Sequence, residues 1–201
     1  MPKKTSPIVF VTLALLLLLP LNTRAEGDFF TVKNATFQGN STQNYPVFSA
    51  GNPKAAPQIN TFFQALVPTF ITQKRASYQD DNIYVKSEYE ITYNDNNYLS
   101  VVFTFEYGLE GWPQTQMFGY VFDSKTGRQL SVKDLQITSQ AVKNELRKMF
   151  NAKNIKISKD IDLTKQIKNF YYDSNFNLHV IFDKGSIAPE AYGIIDITIN
   201  E

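Results

Sequence analysis

Two long runs of alternating polar and apolar residues limit the folds that this chain can adopt. The runs span residues 82–94 and 98–107, and Asn-Asp-Asn-Asn at residues 94–97 joins them. A period of two is typical of half-buried strands, so the pattern predicts a long antiparallel hairpin. Its expected core face carries Ile83, Val85, Tyr89, Ile91 and Tyr93 from the first run, and Leu99, Val101, Phe103, Phe105 and Tyr107 from the second.

Helical periodicity interrupts this strand pattern twice. Apolar residues from Ile59 to Phe70 recur with helical spacing after Pro57, and Pro68 is expected to kink this helix or end it early. A second helix is predicted from Ser139, with Val142 and Leu146 on its apolar face. Strands are predicted at residues 29–37, 116–122, 169–172, 178–182 and 194–199. Helices among antiparallel hairpins indicate an α+β fold in which two or so amphipathic helices pack on the sheets.

The amino terminus has the three-part form of a secretory signal. Lys3 and Lys4 precede an apolar run, and Thr-Arg-Ala ends at Ala25. We predict a signal peptide over residues 1–25 and a single secreted α+β domain over residues 26–201, with halves at about 26–127 and 128–201. The apolar run is shorter than the roughly 20 residues that span a bilayer, so no membrane span is expected after cleavage. The predicted location is extracytoplasmic.

Composition excludes several classes of protein. The 201 residues include 20 Lys and Arg against 19 Asp and Glu, so no excess positive charge favours nucleic acid. There is no Cys and one His, which removes thiol nucleophiles and leaves little for a metal site. We therefore predict no cofactor, no metal and no nucleic-acid partner.

Short motifs in the second half resemble a known secreted family. These motifs are Tyr-Val-Phe-Asp at residues 120–123, Thr-Gly-Arg at 126–128, Leu-Ser-Val-Lys-Asp-Leu at 130–135, and a closing segment with Phe-Tyr-Tyr at 170–172 and Ile-Ala-Pro at 187–189. Tyr-Pro-Val-Phe at 45–48 and Ile-Asn at 59–60 also fit. Together they resemble the domain of unknown function found in the extracellular part of RsiV-type anti-sigma factors and at the amino terminus of PdaC-type peptidoglycan deacetylases.

This resemblance implies an α+β module outside the cell that acts in envelope sensing or cell-wall attachment. In RsiV-type members the domain binds lysozyme, and this chain corresponds to the extracellular module alone. Two segments depart from the family pattern. Leu-Glu-Gly-Trp-Pro at residues 109–113 replaces a common Gly-Gly-Ala-His loop, and Gly-Ser at 185–186 replaces a common Tyr-Glu pair.

The departing loop supplies the candidate binding residues. Residues 108–115 are predicted to form a loop that carries Trp112, the chain's one tryptophan. Trp112 and nearby Tyr107 could stack on a sugar or anchor a protein partner, or the indole could fold back over the sheet. Glu106 and Glu110 would add an acidic rim that suits a basic partner such as lysozyme.

Other polar groups offer weaker chemistry. His179 lies in an apolar strand without a nucleophile motif, so a structural role is expected. Residues 173–177 match the opening of a calcium loop but fail at its later positions, so they predict a hairpin turn. Asp80 and Asp95 are likewise expected to form turns. Glu88, Glu90 and Glu106 could pair as glycosidase carboxylates, although solvated positions on a sheet explain them more simply.

These observations give three hypotheses. The first is a non-catalytic binding module of the cell envelope that recognises lysozyme or another envelope protein. The second is a peptidoglycan- or glycan-binding domain that uses exposed aromatic residues. The third is a cell-wall hydrolase with paired glutamates. No catalytic residue is assigned under the first two.

Overall fold

The computed structural model describes residues 29–153 and 163–199, and these form an α+β fold as predicted. The predicted signal peptide lies outside the described residues. Among the described residues, no helix has the length and apolar character needed to cross a membrane.

The described part of the chain contains eight strands, three α-helices and two short 3-10 helices, Phe37–Gly39 and Glu190–Tyr192. Their bounds are β1 Thr31–Thr36, β2 Asn44–Ser49, α1 Ala55–Tyr78, β3 Tyr84–Asn94, β4 Tyr98–Leu109, β5 Trp112–Asp123, α2 Ser139–Lys153, α3 Leu163–Gln166, β6 Asn169–Tyr172, β7 Leu178–Phe182 and β8 Ile195–Ile199. The strands form three antiparallel sheets, β1–β2, β3–β4–β5 and β6–β7–β8. The long hairpin predicted from alternation is the β3–β4 pair.

The first core lies between α1, the β1–β2 hairpin and one face of the β3–β4–β5 sheet. Its most deeply buried members are Ile59, Phe63, Val67, Leu99, Val101, Phe103, Phe105 and Phe122. Contrary to the sequence prediction, α1 does not end at Pro68 but continues to Tyr78. Phe70 and Ile71 beyond the proline are buried in this core, and their packing offsets the lost backbone hydrogen bond.

The second core covers the opposite face of β5. It contains Val121 from β5, the apolar faces of α2 and of the β6–β7–β8 sheet, and the buried Ile187 and Ala188. At Gly119 the backbone of β6 crosses so closely that a Cβ would lie 2.6 Å from the carbonyl oxygen of Phe170. The Tyr172 N–H donates a hydrogen bond to Ser100 Oγ of β4, 2.9 Å away. The strand β5 is therefore shared by both cores.

Three local predictions are corrected by the structure. Residues 108–115 are not a loop, because β4 extends to Leu109 and β5 begins at Trp112. Tyr93 does not share a face with Ile91, because a β-bulge between them shifts the register. The second helix is capped by Thr138 rather than Ser139, since Thr138 Oγ1 accepts a hydrogen bond from the N–H of Ala141 at 3.1 Å.

A carboxylate fixes the connection between β5 and α2. The two terminal guanidinium nitrogens of Arg128, Nη1 and Nη2, donate to Asp134 at 3.0 Å, and the Ser131 N–H and hydroxyl also donate to this carboxylate. The Arg128 hydrogen bonds contribute most to holding the pKa of Asp134 well below its ordinary value of 3.8, followed by those from Ser131.

We expect Asp134→Asn to destabilise the protein at neutral pH and to have less effect in acid. A carboxylate with a depressed folded-state pKa stabilises the fold above its unfolded-state pKa, and this contribution is lost as the pH falls below about 3.9. The check is thermal unfolding of the variant and of the parent protein from neutral pH down to strong acid, where their two stabilities should converge. The exposed Asp81→Asn is the control, and a gap between Asp134→Asn and parent that stays constant with pH would contradict the prediction.

Candidate functional site

Trp112 is the most exposed large hydrophobic residue among the described residues. Its side chain is 77% exposed, and it pairs across the hairpin with Leu109, which is 41% exposed. A two-residue turn, Glu110 and Gly111, joins the strands, and Gly111 adopts a φ of 82° that favours glycine. Gly108 is equally constrained, because a Cβ there would lie 2.4 Å from the carbonyl oxygen of Trp112. The turn therefore presents the indole to solvent instead of folding it over the sheet.

Tyr107 lies on the same face of the hairpin as Leu109 and Trp112. Its ring is 6.3 Å from the ring of Tyr78 in the last turn of α1, and Lys74 Nζ lies 4.0 Å above its centroid. Lys74 also donates a hydrogen bond to Gln116 Oε1 at 3.0 Å, which anchors the ammonium group. We call Tyr78, Tyr107, Leu109 and Trp112 the hairpin tip. Two of the four predicted binding residues, Trp112 and Tyr107, thus share one surface.

Glu106 faces the other side of the sheet. It forms an ion pair of 2.8 Å with Lys86, to which it is also paired in register. The hydrogen bond from Lys86 is the main cause that lowers the pKa of Glu106. A glycosidase general acid needs a raised pKa, so Glu106 is not suited to that role. Glu106 therefore does not join Trp112 and Tyr107.

Acidic residues that the sequence analysis assigned only to a turn lie at the same end as the hairpin tip. Tyr84 pairs with Gly108, so Asp80 and Asp81, which precede β3, are placed beside this end of the sheet. Glu110 in the turn is exposed as well. Two cations of α1, Lys74 and the exposed Arg75, lie near them. At this end of the sheet Asp80, Asp81 and Glu110 supply negative charge, whereas Glu106, which was predicted to join Glu110, lies on the other face.

Tyr78 was missed because its function depends on the length of α1. An expected end of the helix near Pro68 leaves Tyr78 in a connector with no defined position. The uninterrupted α1 carries its ring to Tyr107 instead. The sequence did contain a signal for the longer helix. The helical spacing of apolar residues continues past the proline, with Phe70 and Ile71 on the apolar face.

His179 belongs to a polar cluster on the β6–β7–β8 sheet, in which its buried Nε2 has no hydrogen-bond partner and lies 3.5 Å from Asp173 Oδ2. Its Nδ1 lies 3.0 Å from Asp196 Oδ1, and its ring stacks on Tyr171 with centroids 4.6 Å apart. The Tyr171 hydroxyl donates to Asp196 Oδ2 at 2.6 Å, and burial, followed by this bond, raises the pKa of Tyr171. These contacts join all three strands of the sheet, which is the structural role expected for this histidine.

The aspartates considered as cation ligands form turns. Asp173 accepts hydrogen bonds from the N–H groups of Asn175 and Asn177, and Asp95 accepts those of Asn97 and Tyr98. Asp80 accepts that of Asn82 at 2.8 Å, at the opposite end of β3 from Asp95. No group of three or more His, Cys, Asp or Glu in the described part of the chain is arranged to hold a metal ion.

The residues that carry the family resemblance mostly support the fold. Asp123 accepts hydrogen bonds from the N–H groups of Lys125 and Thr126, and Gly127 closes this turn against α1, where a Cβ would lie 2.6 Å from the carbonyl oxygen of Ala55. Asn60 exchanges two hydrogen bonds with the backbone of Phe48. None of these residues belongs to the hairpin tip, so the motifs indicate a shared architecture more directly than a shared ligand.

Comparison with known proteins agrees with that interpretation. Residues 129–200 match the model of a family described as "Protein of unknown function (DUF3298)". No curated protein matches the chain. The match supports the predicted domain of unknown function, and its assignment to the RsiV-type branch stays a prediction.

Two solved structures share the fold. A DUF3298 family member from Bacteroides fragilis aligns with a TM-score of 0.54 and 12% identity, over 87% of this chain and 91% of that chain. A DUF3298 family protein from Pseudomonas aeruginosa PAO1 aligns with a TM-score of 0.53 and 13% identity, over 85% of this chain and 88% of that chain. At these identities the likeness shows a common fold alone.

Proposed function

We propose that this protein is a non-catalytic binding module of the cell envelope that receives a basic protein ligand on the hairpin tip. The observation that carries the proposal is Trp112, whose side chain is 77% exposed on a turn constrained by two glycines. Exposed tryptophans on rigid elements are the residues that most often dominate protein interfaces. The resemblance to RsiV-type domains makes lysozyme the first ligand to test.

The surroundings of Trp112 favour a protein ligand. Leu109, which pairs with Trp112, and Tyr78, whose ring lies 6.3 Å from that of Tyr107 on the same face, are each 41% exposed and add to the apolar surface of the hairpin tip. Glu110 in the turn and Asp80 and Asp81 at the same end of the sheet outnumber the cations Lys74 and Arg75, and this small excess of negative charge would speed association with a basic protein. An apolar centre with a polar rim is the arrangement found in protein interfaces.

We expect Trp112→Ala to weaken lysozyme binding by about thirtyfold or more, because tryptophan hot spots contribute roughly 2 kcal/mol or more. The fold should be unaffected, since the side chain is mostly exposed. Binding is measured by calorimetry in both the parent protein and the variant. Saturable binding lost in Trp112→Ala supports the proposal, and the absence of binding by any lysozyme at high micromolar concentration overturns the choice of ligand.

Two further variants sharpen this test. Asp81→Asn combined with Glu110→Gln should lower the association rate and reduce its dependence on salt, because both changes weaken the acidic rim. Phe176→Asn is the matched control, since it removes a half-exposed aromatic ring at the other end of β4 and should leave lysozyme affinity unchanged. Release of soluble products from purified cell walls by the parent protein would contradict a non-catalytic role.

A further inference from the structure

The β-bulge in β3 moves Tyr93 away from the first core. Ile91 pairs with Val101 and packs in that core, whereas Tyr93 pairs with Ser100, whose side chain faces the β6–β7–β8 sheet. After the bulge Asn94 returns to the core face and binds the backbone N–H and carbonyl of Phe30, at 2.9 and 2.8 Å. Bulges are common where a side chain must be redirected toward a binding site.

The redirected Tyr93 joins an aromatic cluster that bridges two hairpins. The rings of Tyr172 and Phe176 stack with centroids 4.3 Å apart, and Tyr93 lies 5.0 Å from Phe176. Tyr98 lies 5.5 Å from Tyr172 and 5.8 Å from Phe176. Tyr93 and Tyr98 come from the β3–β4 hairpin, and Tyr172 and Phe176 from the β6–β7 hairpin. We call these four residues the tyrosine cluster.

Phe176 occupies a conformation that its side chain disfavours. Its φ of 64° lies in the left-handed region, where a bulky residue is strained and asparagine is tolerated better. Asn175 and Asn177 flank it, so asparagine is already abundant in this turn. The ring is also 46% exposed, and burial offsets only part of the strain. Neither turn formation nor core packing requires a phenylalanine here.

An open groove of about 1020 Å³ adjoins the tyrosine cluster through Tyr93, the one member of the cluster that lines it, and through Ser174 in the turn that carries Phe176. Its polar lining includes Thr31, Tyr93, Asp95, Asn96, Asn97 and Ser174, and these residues present hydroxyl, amide and carboxylate groups. Asp95 accepts a hydrogen bond from the Tyr93 hydroxyl at 3.1 Å, which fixes the orientation of that ring at the groove. The volume is at the upper limit of the roughly 300–1,000 Å³ that is typical of small-molecule sites.

The chemistry of the groove identifies the class of ligand. No lysine or arginine is among the described residues that line it, although Lys125 reaches its rim through a hydrogen bond to Asn97 Oδ1 at 3.1 Å. A phosphate or another anion would therefore lack a buried cationic partner. Sugar rings combine apolar C–H faces, which stack on aromatic rings, with hydroxyl groups that both donate and accept hydrogen bonds. Aromatic faces beside amides and a carboxylate match that combination.

We infer that this groove binds a neutral oligosaccharide, with the Tyr93 ring and the adjacent exposed Phe176 ring as the stacking surface and the residues from Asp95 to Asn97 as hydrogen-bonding partners. The site is separate from the hairpin tip. The two lie at opposite ends of β4, roughly 35 Å apart at about 3.3 Å per residue. Binding of a sugar in the groove and of a protein at the tip can therefore be tested independently.

The test is a titration of the purified protein with soluble tetrasaccharides of β-1,4-linked N-acetylglucosamine, β-1,4-linked glucose and α-1,4-linked glucose, followed by amide NMR shifts. We expect saturable shifts confined to residues 30–32, 91–98 and 174–176 with at least one of the three. Phe176→Asn should weaken that binding at least tenfold while keeping the turn, because asparagine tolerates the backbone conformation. Trp112→Ala is the matched control and should bind the sugar with unchanged affinity.

Three outcomes would overturn the inference. The first is the absence of shifts with every tetrasaccharide at millimolar concentration. The second is equal affinity in Phe176→Asn and the parent protein, which would mean that the cluster serves only to join the two hairpins. The third is the appearance of the same shifts when the protein alone is concentrated, which would assign the groove to a second copy of this chain.

Discussion

Phe63→Ala is expected to lower the free energy of unfolding by about 3–5 kcal/mol. The side chain is fully buried in the first core. Its ring centroid lies within 5.8 Å of the ring centroids of Phe48, Phe103 and Phe122. Its ring stacks on Phe103 at 14°, a geometry that adds to the value of burial alone. Because domains of this size are stable by only about 5–15 kcal/mol, this one change removes a large share of the total.

Denaturant unfolding followed by far-ultraviolet circular dichroism measures this loss. Tryptophan fluorescence is a poor probe of unfolding here, since Trp112 is already exposed in the folded protein. Phe63→Leu is the graded control, and it should cost about 1.5 kcal/mol or less because it leaves a smaller cavity. A cost below about 1 kcal/mol for Phe63→Ala would show that the core collapses around the missing ring, contrary to the packing described.

Elements with a regular hydrophobic period were predicted well from the sequence. The alternation from Ile83 to Ile91 and from Leu99 to Tyr107 gave the β3–β4 pair and its core face. The spacing from Ile59 to Phe70 gave the buried side of α1. In each case one local rule determined which side chains are buried, and the remaining residues of the element did not oppose it.

Predictions failed where a long-range contact outweighs a local preference. Pro68 locally disfavours a helix, but packing against the sheet beneath α1 stabilises the continuation of the helix to Tyr78. The bulge before Tyr93 depends on Asn94 binding the backbone of Phe30, which is 64 residues away. No period within residues 82–94 contains that information. The predicted core face of the first run, from Ile83 to Tyr93, was therefore extended one residue too far, to Tyr93.

The candidate site could be predicted only in part, for a related reason. The sequence identified Trp112, because a tryptophan between glycine and proline is unusual in any loop. The predicted alternation over residues 98–107 already placed Tyr107 on the core face and Glu106 on the opposite one, so grouping Glu106 with Trp112 conflicted with that pattern. Tyr78 and Phe176 gain their positions from neighbours that are distant in sequence. The sequence therefore showed which residue types were available, but not which of them come together in the folded protein.

Gly119→Ala is expected to destabilise the protein by about 3 kcal/mol, at the upper end of what overpacking usually costs. Alanine normally stabilises a strand relative to glycine by about 0.5–1 kcal/mol, because it has less conformational freedom to lose. Here the added Cβ would lie 2.6 Å from the carbonyl oxygen and 2.7 Å from the carbonyl carbon of Phe170. Both are backbone atoms of β6, so rotation of a side chain cannot relieve the clash. The steric cost therefore outweighs the conformational gain, and the substitution lowers the free energy of unfolding.

The loss of stability in Gly119→Ala should follow from separation of the two sheets. Gly111→Ala is the control that distinguishes this cause from a general intolerance of glycine substitution. Gly111 has open space around its Cβ position but a φ of 82°, so alanine there should cost about 1 kcal/mol through backbone strain alone. In Gly119→Ala, unlike Gly111→Ala, amide shifts should change in β6 and at Tyr172, whose N–H binds Ser100 across the same junction. Equal costs for the two variants would mean that β6 moves aside easily. The tyrosine cluster, which depends on this junction, would then be too loosely held to form a fixed stacking surface.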